Sequence, residues 1–273
     1  MALSINGKLL QLANEYYITY GSVEQKKIDA SVATLISRLK AHFGSNVLSV
    51  VEFGSYKRDT ILPRKYDEHS DVDLMIVYNH ANLRVTPGTY RNYLIDFAEK
   101  KYSRSDVKKS IPTVVLELDH IKYDLVPAYE ESYLWSKTIY IPHNDSSWMI
   151  TDPHGFSTEL TRVNTENNSN IKKVIRLLKA WNAKAGYPIE SYQLEQQIAR
   201  IVYWVWGDKT LENYFFKAIE GLSSTVNGNS FYPNPKIILL KENAKRVKAY
   251  LEADNITGAK GWLAHILPFY MTN

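Results

Sequence analysis

No cysteine occurs among the 273 residues. Disulfides and thiolate metal sites are therefore excluded, and the absence fits a cytoplasmic protein. No apolar run approaches the ~20 residues that span a bilayer. The opening stretch MALSINGKLLQLANEYY has no basic segment followed by an unbroken apolar core, so it does not read as a signal peptide. Internal repeats, low-complexity tracts and Pro/Gly-rich linkers are missing as well. Charge of one sign is scarce: 33 basic residues against 29 acidic ones leave a net +4. That balance argues against a polycation coating nucleic acid and leaves room for a local phosphate-binding patch. What the chain does have is apolar mass, 45% of its residues, enough to core one large domain or two lobes. A large aromatic core accounts for most of the tyrosine and tryptophan.

Periodicity divides the chain. Ser22 and Gln25 have the spacing of a helix capping box. Behind them Ile28, Val32, Leu35, Ile36, Leu39 and Phe43 recur at helical spacing up to Gly44, which predicts a long helix over 22–43. Asn46–Phe53 and Val72–Tyr78 read as strands. Tyr90, Tyr93, Leu94 and Phe97 mark a helix ending near Tyr102. Thr113–Leu118 and Ile121–Val126 read as strands joined by a turn at Asp119-His120, with Pro127 closing the second, and Thr138–Ile141 as a further short strand. Later residues form helical stripes: Ile171, Val174, Ile175, Leu178 and Trp181; Leu194, Ile198, Ile201, Val202 and Val205; Leu240, Ala244, Val247 and Leu251. The expectation is an α+β lobe over 1–150, a helical lobe over 151–273, and a ligand cleft between them.

Two aspartates stand at the mouth of the Val72–Tyr78 strand. Residues i and i+2 of a strand point the same way, so Asp71 and Asp73 project together while Val72 faces the other way. Either they form a polar loop, or a hard divalent cation resolves their repulsion, since Mg²⁺ favours carboxylate and phosphate oxygens. A third carboxylate is expected from a neighbouring strand. Asp124 fits best because it too interrupts an apolar strand; of the alternatives, Asp119 suits the turn and Glu117 a solvated face. Gly54 and Ser55 follow a strand directly, where a small residue admits close backbone approach to a phosphate, or else makes a tight turn. On the helix around 171–185, Lys172, Arg176 and Lys179 share one face at i, i+4 and i+7. That face is either solvated or phosphate-binding. Ser191 reads equally as a helix cap, and Tyr192 as a core residue.

Strand, Gly-Ser, Asp-x-Asp strand and a later strand Asp, in that order, resemble the polymerase-β-type nucleotidyltransferase superfamily. The stretches FGSYKRDT, HSDVDLMIVY, YDLVPA, DPHGFSTELTRVN, VIRLLKAWN and SYQLE run in order from Phe53 to Glu195. They resemble most closely the bacterial cGAS/DncV-like nucleotidyltransferases (CD-NTases), the cyclic-oligonucleotide synthases of antiphage defence.

The resemblance implies an α+β fold: a mixed β-sheet with flanking helices and a long N-terminal helix, plus a helical C-terminal lobe. It implies that Asp71, Asp73 and Asp124 are a metal triad. It implies that Gly54 and Ser55 form the turn holding a triphosphate, that Lys179 and Ser191 contact the β- and γ-phosphates, that Tyr192 stacks on a base, and that Asn164 lies near that base. The cofactor implied is Mg²⁺, with Mn²⁺ as a substitute, and the substrates are nucleoside triphosphates. The product would be read by a separate effector protein, with no membrane, no stable nucleic-acid partner, and a monomeric enzyme. Terminal transferases acting on RNA, and nucleotidylyltransferases acting on small molecules or proteins, share the triad and remain alternatives. A non-catalytic nucleotide-binding module is the third alternative, against which the intact triad argues. The chain departs from its relatives in reading Arg58-Asp59-Thr60 where they often have Arg-Gly-Thr, and in a long, charged segment between Gly54 and Asp71.

Overall fold

The computed structural model describes residues 3–83, 85–103, 106–109, 111–133, 136–203, 208–225 and 233–269. Its helices in chain order are α1 (Ile5–Glu15), α2 (Val23–Phe43), α3 (Gly54–Lys57), α4 (His80–Leu83), α5 (Pro87–Lys101), α6 (Gly155–Glu166), α7 (Ile171–Lys184), α8 (Ser191–Arg200), α9 (Leu211–Gly221), α10 (Pro235–Glu252) and α11 (Ile256–Ile266). Its strands are β1 (Val47–Phe53), β2 (Asp71–Tyr78), β3 (Asp106–Lys109), β4 (Val114–Glu117), β5 (Lys122–Tyr133), β6 (Ser136–Pro142) and β7 (Trp148–Thr151). The chain divides into two compact units. One comprises Thr19–Arg58 and His69–Ser157; the other comprises Met1–Ile18, Asp59–Glu68 and Thr158–Asn273.

The first unit is a mixed sheet with helices. Strands run in the order β1-β2-β5-β4-β3, with β6 pairing β5 and β7. β2 and β5 are parallel and the other pairs antiparallel. The long helix expected over 22–43 is α2. The Ser22 side chain accepts from the Gln25 N–H at 3.2 Å, and Gly44 ends the helix in a left-handed backbone (φ 54°) that glycine adopts without a Cβ clash. Ile28, Val32, Leu35 and Leu39 are its buried stripe. Along β2, Val72, Leu74, Ile76 and Tyr78 are fully buried. On the opposite face Met75 and Val77 pack with Ala128, Val51, Phe53, Ile139 and Ile141. The two carboxylates thus continue a row that is otherwise apolar.

The expectation that Pro127 closes a strand is corrected. β5 runs on to Tyr133, and Pro127 pairs with Ile76 of β2. On its other edge, β4 pairs with β5 up to Leu125 and pairing with β6 starts at Tyr129, so the proline sits between two partners where its missing N–H costs no ladder bond.

The second unit is helical, with α7 as its central helix. Apolar residues from Ile171 to Trp181 are buried on several sides of it, and so are Arg176, Lys179 and Asn182. The face carrying the cations is therefore not the solvated one; these side chains survive burial because each is paired. Arg176 donates to the carbonyls of Asp59 at 2.9 Å and Ala13 at 3.3 Å, and lies over the Tyr17 ring. Its burial lowers its pKa to about 10. Asn182 exchanges hydrogen bonds with the backbone of Ile189.

A further expectation changes in this unit. α8 stops at Arg200: Ile201 is extended (φ −66°, ψ 134°) and Val202 is 64% exposed, so the apolar stripe does not continue as helix, and Val205 lies outside the described residues. α1 gives bounds to an N-terminal helix ahead of α2: Ile5, Leu9 and Leu12 carry helical spacing, are fully buried, and follow a cap in which Ser4 accepts from Gly7.

Candidate active site

The parallel pairing of β2 and β5 sets the geometry. Asp71 stands in register with Lys122 and Asp73 with Asp124. Register partners share a face, and so do residues two apart. Asp71, Asp73, Asp124 and Lys122 therefore project together, while Val72 and Tyr123 between them are fully buried on the other side. Tyr123 reaches back to the Ser31 hydroxyl of α2. Glu117, expected on a solvated face, is the β4 register partner of Lys122 and belongs to the same charged face. Asp119 lies in the turn closed by the Leu118 N–H to Ile121 carbonyl bond, as expected.

The Lys122 ammonium lies 3.0 Å from Asp71 Oδ2 and 3.8 Å from Asp124 Oδ1. Asp124 Oδ1 is buried without a hydrogen-bond partner. Burial, followed by repulsion from Asp71, pushes the Asp124 carboxyl up to about 6, against the pull of Lys122 and a hydrogen bond from Thr113. Burial acts to lower Lys122, but Asp71, Asp124 and Asp73 outweigh it and its pKa rises. Gly54 adjoins this face. Its φ is +73°, and a Cβ there would stand 1.7 Å from Asp73 Oδ2, so the glycine is what lets the carboxylate lie against the β1–α3 turn. Ser55 follows it, half-buried, in α3.

Among the described residues, no three or more His, Asp or Glu side chains are already gathered at metal-ligand spacing. The donor set nevertheless suits a hard divalent cation. Three carboxylates occupy adjoining positions of two paired strands, one of them with a buried oxygen that accepts no hydrogen bond. Asp71, Asp73 and Asp124 are the residues that could hold it.

The other expected site residues belong to the helical unit. Lys179 is 5% exposed and pairs with Glu195 Oε1 at 3.3 Å; Thr60 donates to the same oxygen at 2.9 Å. Ser191 begins α8 but does not cap it. Glu190 does, accepting from the Tyr192 and Gln193 N–H groups at 3.0 and 2.8 Å, a role a two-oxygen carboxylate fills for two donors at once. Tyr192 is 41% exposed and so is not a core residue. The Asn164 Oδ1 accepts from the Lys172 N–H in the first turn of α7, which gives it a capping function.

Sequence reasoning passed over Lys122 and Glu195. The signal for Lys122 was present: it precedes Asp124 by two residues, the same spacing that joins Asp71 to Asp73. Glu195 gave no such signal, because its partner lies on another helix.

Residues 3–164 match the Second Messenger Oligonucleotide or Dinucleotide Synthetase domain family. A probable cyclic nucleotide synthase of Bacillus cereus is 23% identical over 222 residues; the match covers 67% of this chain and spans 65% of that relative's length. The CBASS oligonucleotide cyclase CdnC of Escherichia coli is 21% identical over 259 residues, 86% of this chain and 78% of that one. The solved structure of E. coli CdnC with ATP superposes with a TM-score of 0.68 at 13% identity, covering 97% of this chain and 98% of that one.

The mixed sheet with its flanking helices and the helical unit have the fold of the polymerase-β-type nucleotidyltransferase superfamily. Within that class the chain belongs to the Second Messenger Oligonucleotide or Dinucleotide Synthetase domain family, among the cGAS/DncV-like nucleotidyltransferases.

Proposed function

We propose that this chain is a template-independent nucleotidyltransferase that condenses nucleoside triphosphates into a cyclic di- or oligonucleotide, a second messenger for antiphage signalling read by a separate effector protein. Family membership and the printed names of the relatives support the class of reaction. The observation that carries the reading is the register of β2 and β5, which sets Asp71, Asp73 and Asp124 on one face of one sheet within the matched segment.

In this reading a ribose hydroxyl oxygen of one nucleotide bonds to the α-phosphorus of another, the bond to the β-phosphate breaks, pyrophosphate leaves, and the hydroxyl proton is lost. Mg²⁺ or Mn²⁺ held by the three aspartates would supply charge neutralisation at the phosphates and acidify the hydroxyl. Asp71 and Asp73 orient the triphosphate through their shared face, and Asp124 completes the site beside the attacking hydroxyl. The Gly54-Ser55 turn takes the triphosphate oxygens. Lys179 and Ser191 serve the β- and γ-phosphates, with Lys179 exchanging Glu195 for phosphate, and the exposed Tyr192 ring stacks on a base.

The test is incubation of the purified protein with all four triphosphates and Mg²⁺ or Mn²⁺, without primer, followed by mass spectrometry. The expected product is a phosphatase-resistant cyclic nucleotide, and Asp73→Asn is expected to lower its formation by at least 10²-fold with the thermal transition retained. Label appearing only on added RNA, or on a protein or small-molecule acceptor, would replace this reading with a terminal-transfer one.

A further inference from the structure

Among the described residues of the charged face, Lys122 is the cation within ion-pair distance of the aspartates; Lys108, on the same face, lies two strands away on β3. It is the register partner of both Asp71 and Glu117, and its ammonium approaches Asp71 and Asp124 while its side chain is only 20% exposed. An ammonium at hydrogen-bond distance from Asp71 Oδ2 and a divalent cation needing oxygens at about 2.0–2.1 Å compete for the same lone pairs. Like charge also keeps the two apart. A divalent cation therefore enters only as the ammonium leaves, and leaving costs Lys122 its anionic partner. A triphosphate changes that balance, because it brings negative charge that can receive the displaced ammonium and share the cation.

We propose that Lys122 is a resident counter-cation which holds the three aspartates together before substrate arrives and makes divalent-metal binding depend on nucleotide. The proposal rests on the reading of Asp71, Asp73 and Asp124 as metal ligands. Lys122 is a positioning residue in it, acting through those carboxylates. Because coupling between two ligands is reciprocal, metal also tightens nucleotide. The consequence is a site that stays closed to metal alone and loads metal and triphosphate together.

The experiment follows free Mn²⁺ by electron paramagnetic resonance, with and without a non-hydrolysable triphosphate analogue and against protein-free controls that correct for chelation by the analogue. The wild type is expected to bind Mn²⁺ weakly alone and at least tenfold more tightly with the analogue. Lys122→Met, and Lys122→Gln in case the first variant folds poorly, are expected to bind Mn²⁺ alone at least tenfold more tightly than the wild type, with a smaller gain from the analogue. Both should melt lower than the wild type without metal and recover with Mn²⁺. Lys122→Arg, which keeps the charge, is expected to keep the coupling. If the uncharged variants show wild-type Mn²⁺ affinity and wild-type coupling, the role given to Lys122 is overturned while the triad assignment stands. If Asp73→Asn binds Mn²⁺ with analogue as tightly as the wild type does, the triad assignment falls and takes this inference with it.

Discussion

A single carboxyl shows how the site trades stability for chemistry. Asp124 lies in its strand between Lys122 and the buried Val126 on one face, and burial with Asp71 alongside raises its pKa from 3.8 to about 6. A carboxyl whose folded pKa exceeds its unfolded one favours the folded state below the unfolded value, and that contribution is lost as pH rises through the folded value. The window is thus about pH 4 to 6, and the gap corresponds to about 3 kcal/mol against the ionised form. Asp124→Asn removes the penalty with little change of shape. In metal-free buffer it is expected to melt above the wild type at pH 7.5, with the difference shrinking towards zero at pH 4, while product formation is lost. Thermal melts of both proteins across that range check it; a constant difference would show that Asp124 is not held against its own ionisation. The same residue shows what could be read without coordinates. An aspartate inside an apolar strand announces itself, whereas its pairing with Asp73 instead of Asp71 depends on strand register, which no local pattern encodes.

At the scale of elements, signals local to one turn were legible and signals completed by another element were not. The Ser22 cap and Gly44 stop of α2 lie within a few residues of what they terminate. The cationic face of α7 was read as solvated or phosphate-binding, because a stripe rule assumes one buried face. The partners that bury Arg176, Asp59 and Ala13, lie 117 and 163 residues away. The departure from Arg-Gly-Thr has a backbone explanation in the same place. Asp59 has a φ of +61°, a conformation glycine takes freely and an L-residue takes at a cost of about 1 kcal/mol. What the aspartate gains is an ion pair with Lys172 at 2.9 Å, but its side chain is 53% exposed, so the pair contributes about 0–1 kcal/mol. The two effects nearly cancel. Asp59→Gly is expected to leave the melting temperature within about 3 °C of the wild type, whereas Asp59→Ala loses the pair and keeps the strain, and melts lower than Asp59→Gly. Calorimetry on the two variants decides it; equal melting temperatures would mean the backbone is not strained there.

For the whole molecule, family likeness and folding unit do not share a boundary. The matched family segment ends at residue 164, before α7, yet α1 within that segment belongs to the helical unit. Ile5, Leu9 and Leu12 are fully buried, the Ala13 carbonyl accepts from Arg176, and the Tyr16 hydroxyl donates to the Pro268 carbonyl at 3.0 Å. The segment Asp59–Glu68 is tied in the same way: Thr60 bonds Glu195, and the Tyr187 hydroxyl donates to Asp67. A chain cut after Asn164 keeps Asp71, Asp73 and Asp124 and loses all of these partners. Exposing three large aliphatic side chains at about 1.5–3 kcal/mol each costs roughly 5–9 kcal/mol, which is comparable to the whole stability of an ordinary domain. The truncated chain is therefore expected to lack a cooperative thermal transition, or to be recovered only as aggregate, where the full chain melts as a folded protein. Circular dichroism melts with size-exclusion chromatography test this directly. A soluble, cooperatively melting 1–164 fragment would mean that the sheet unit stands without the helices and that α1 and the 59–68 segment follow the helical unit instead of depending on it.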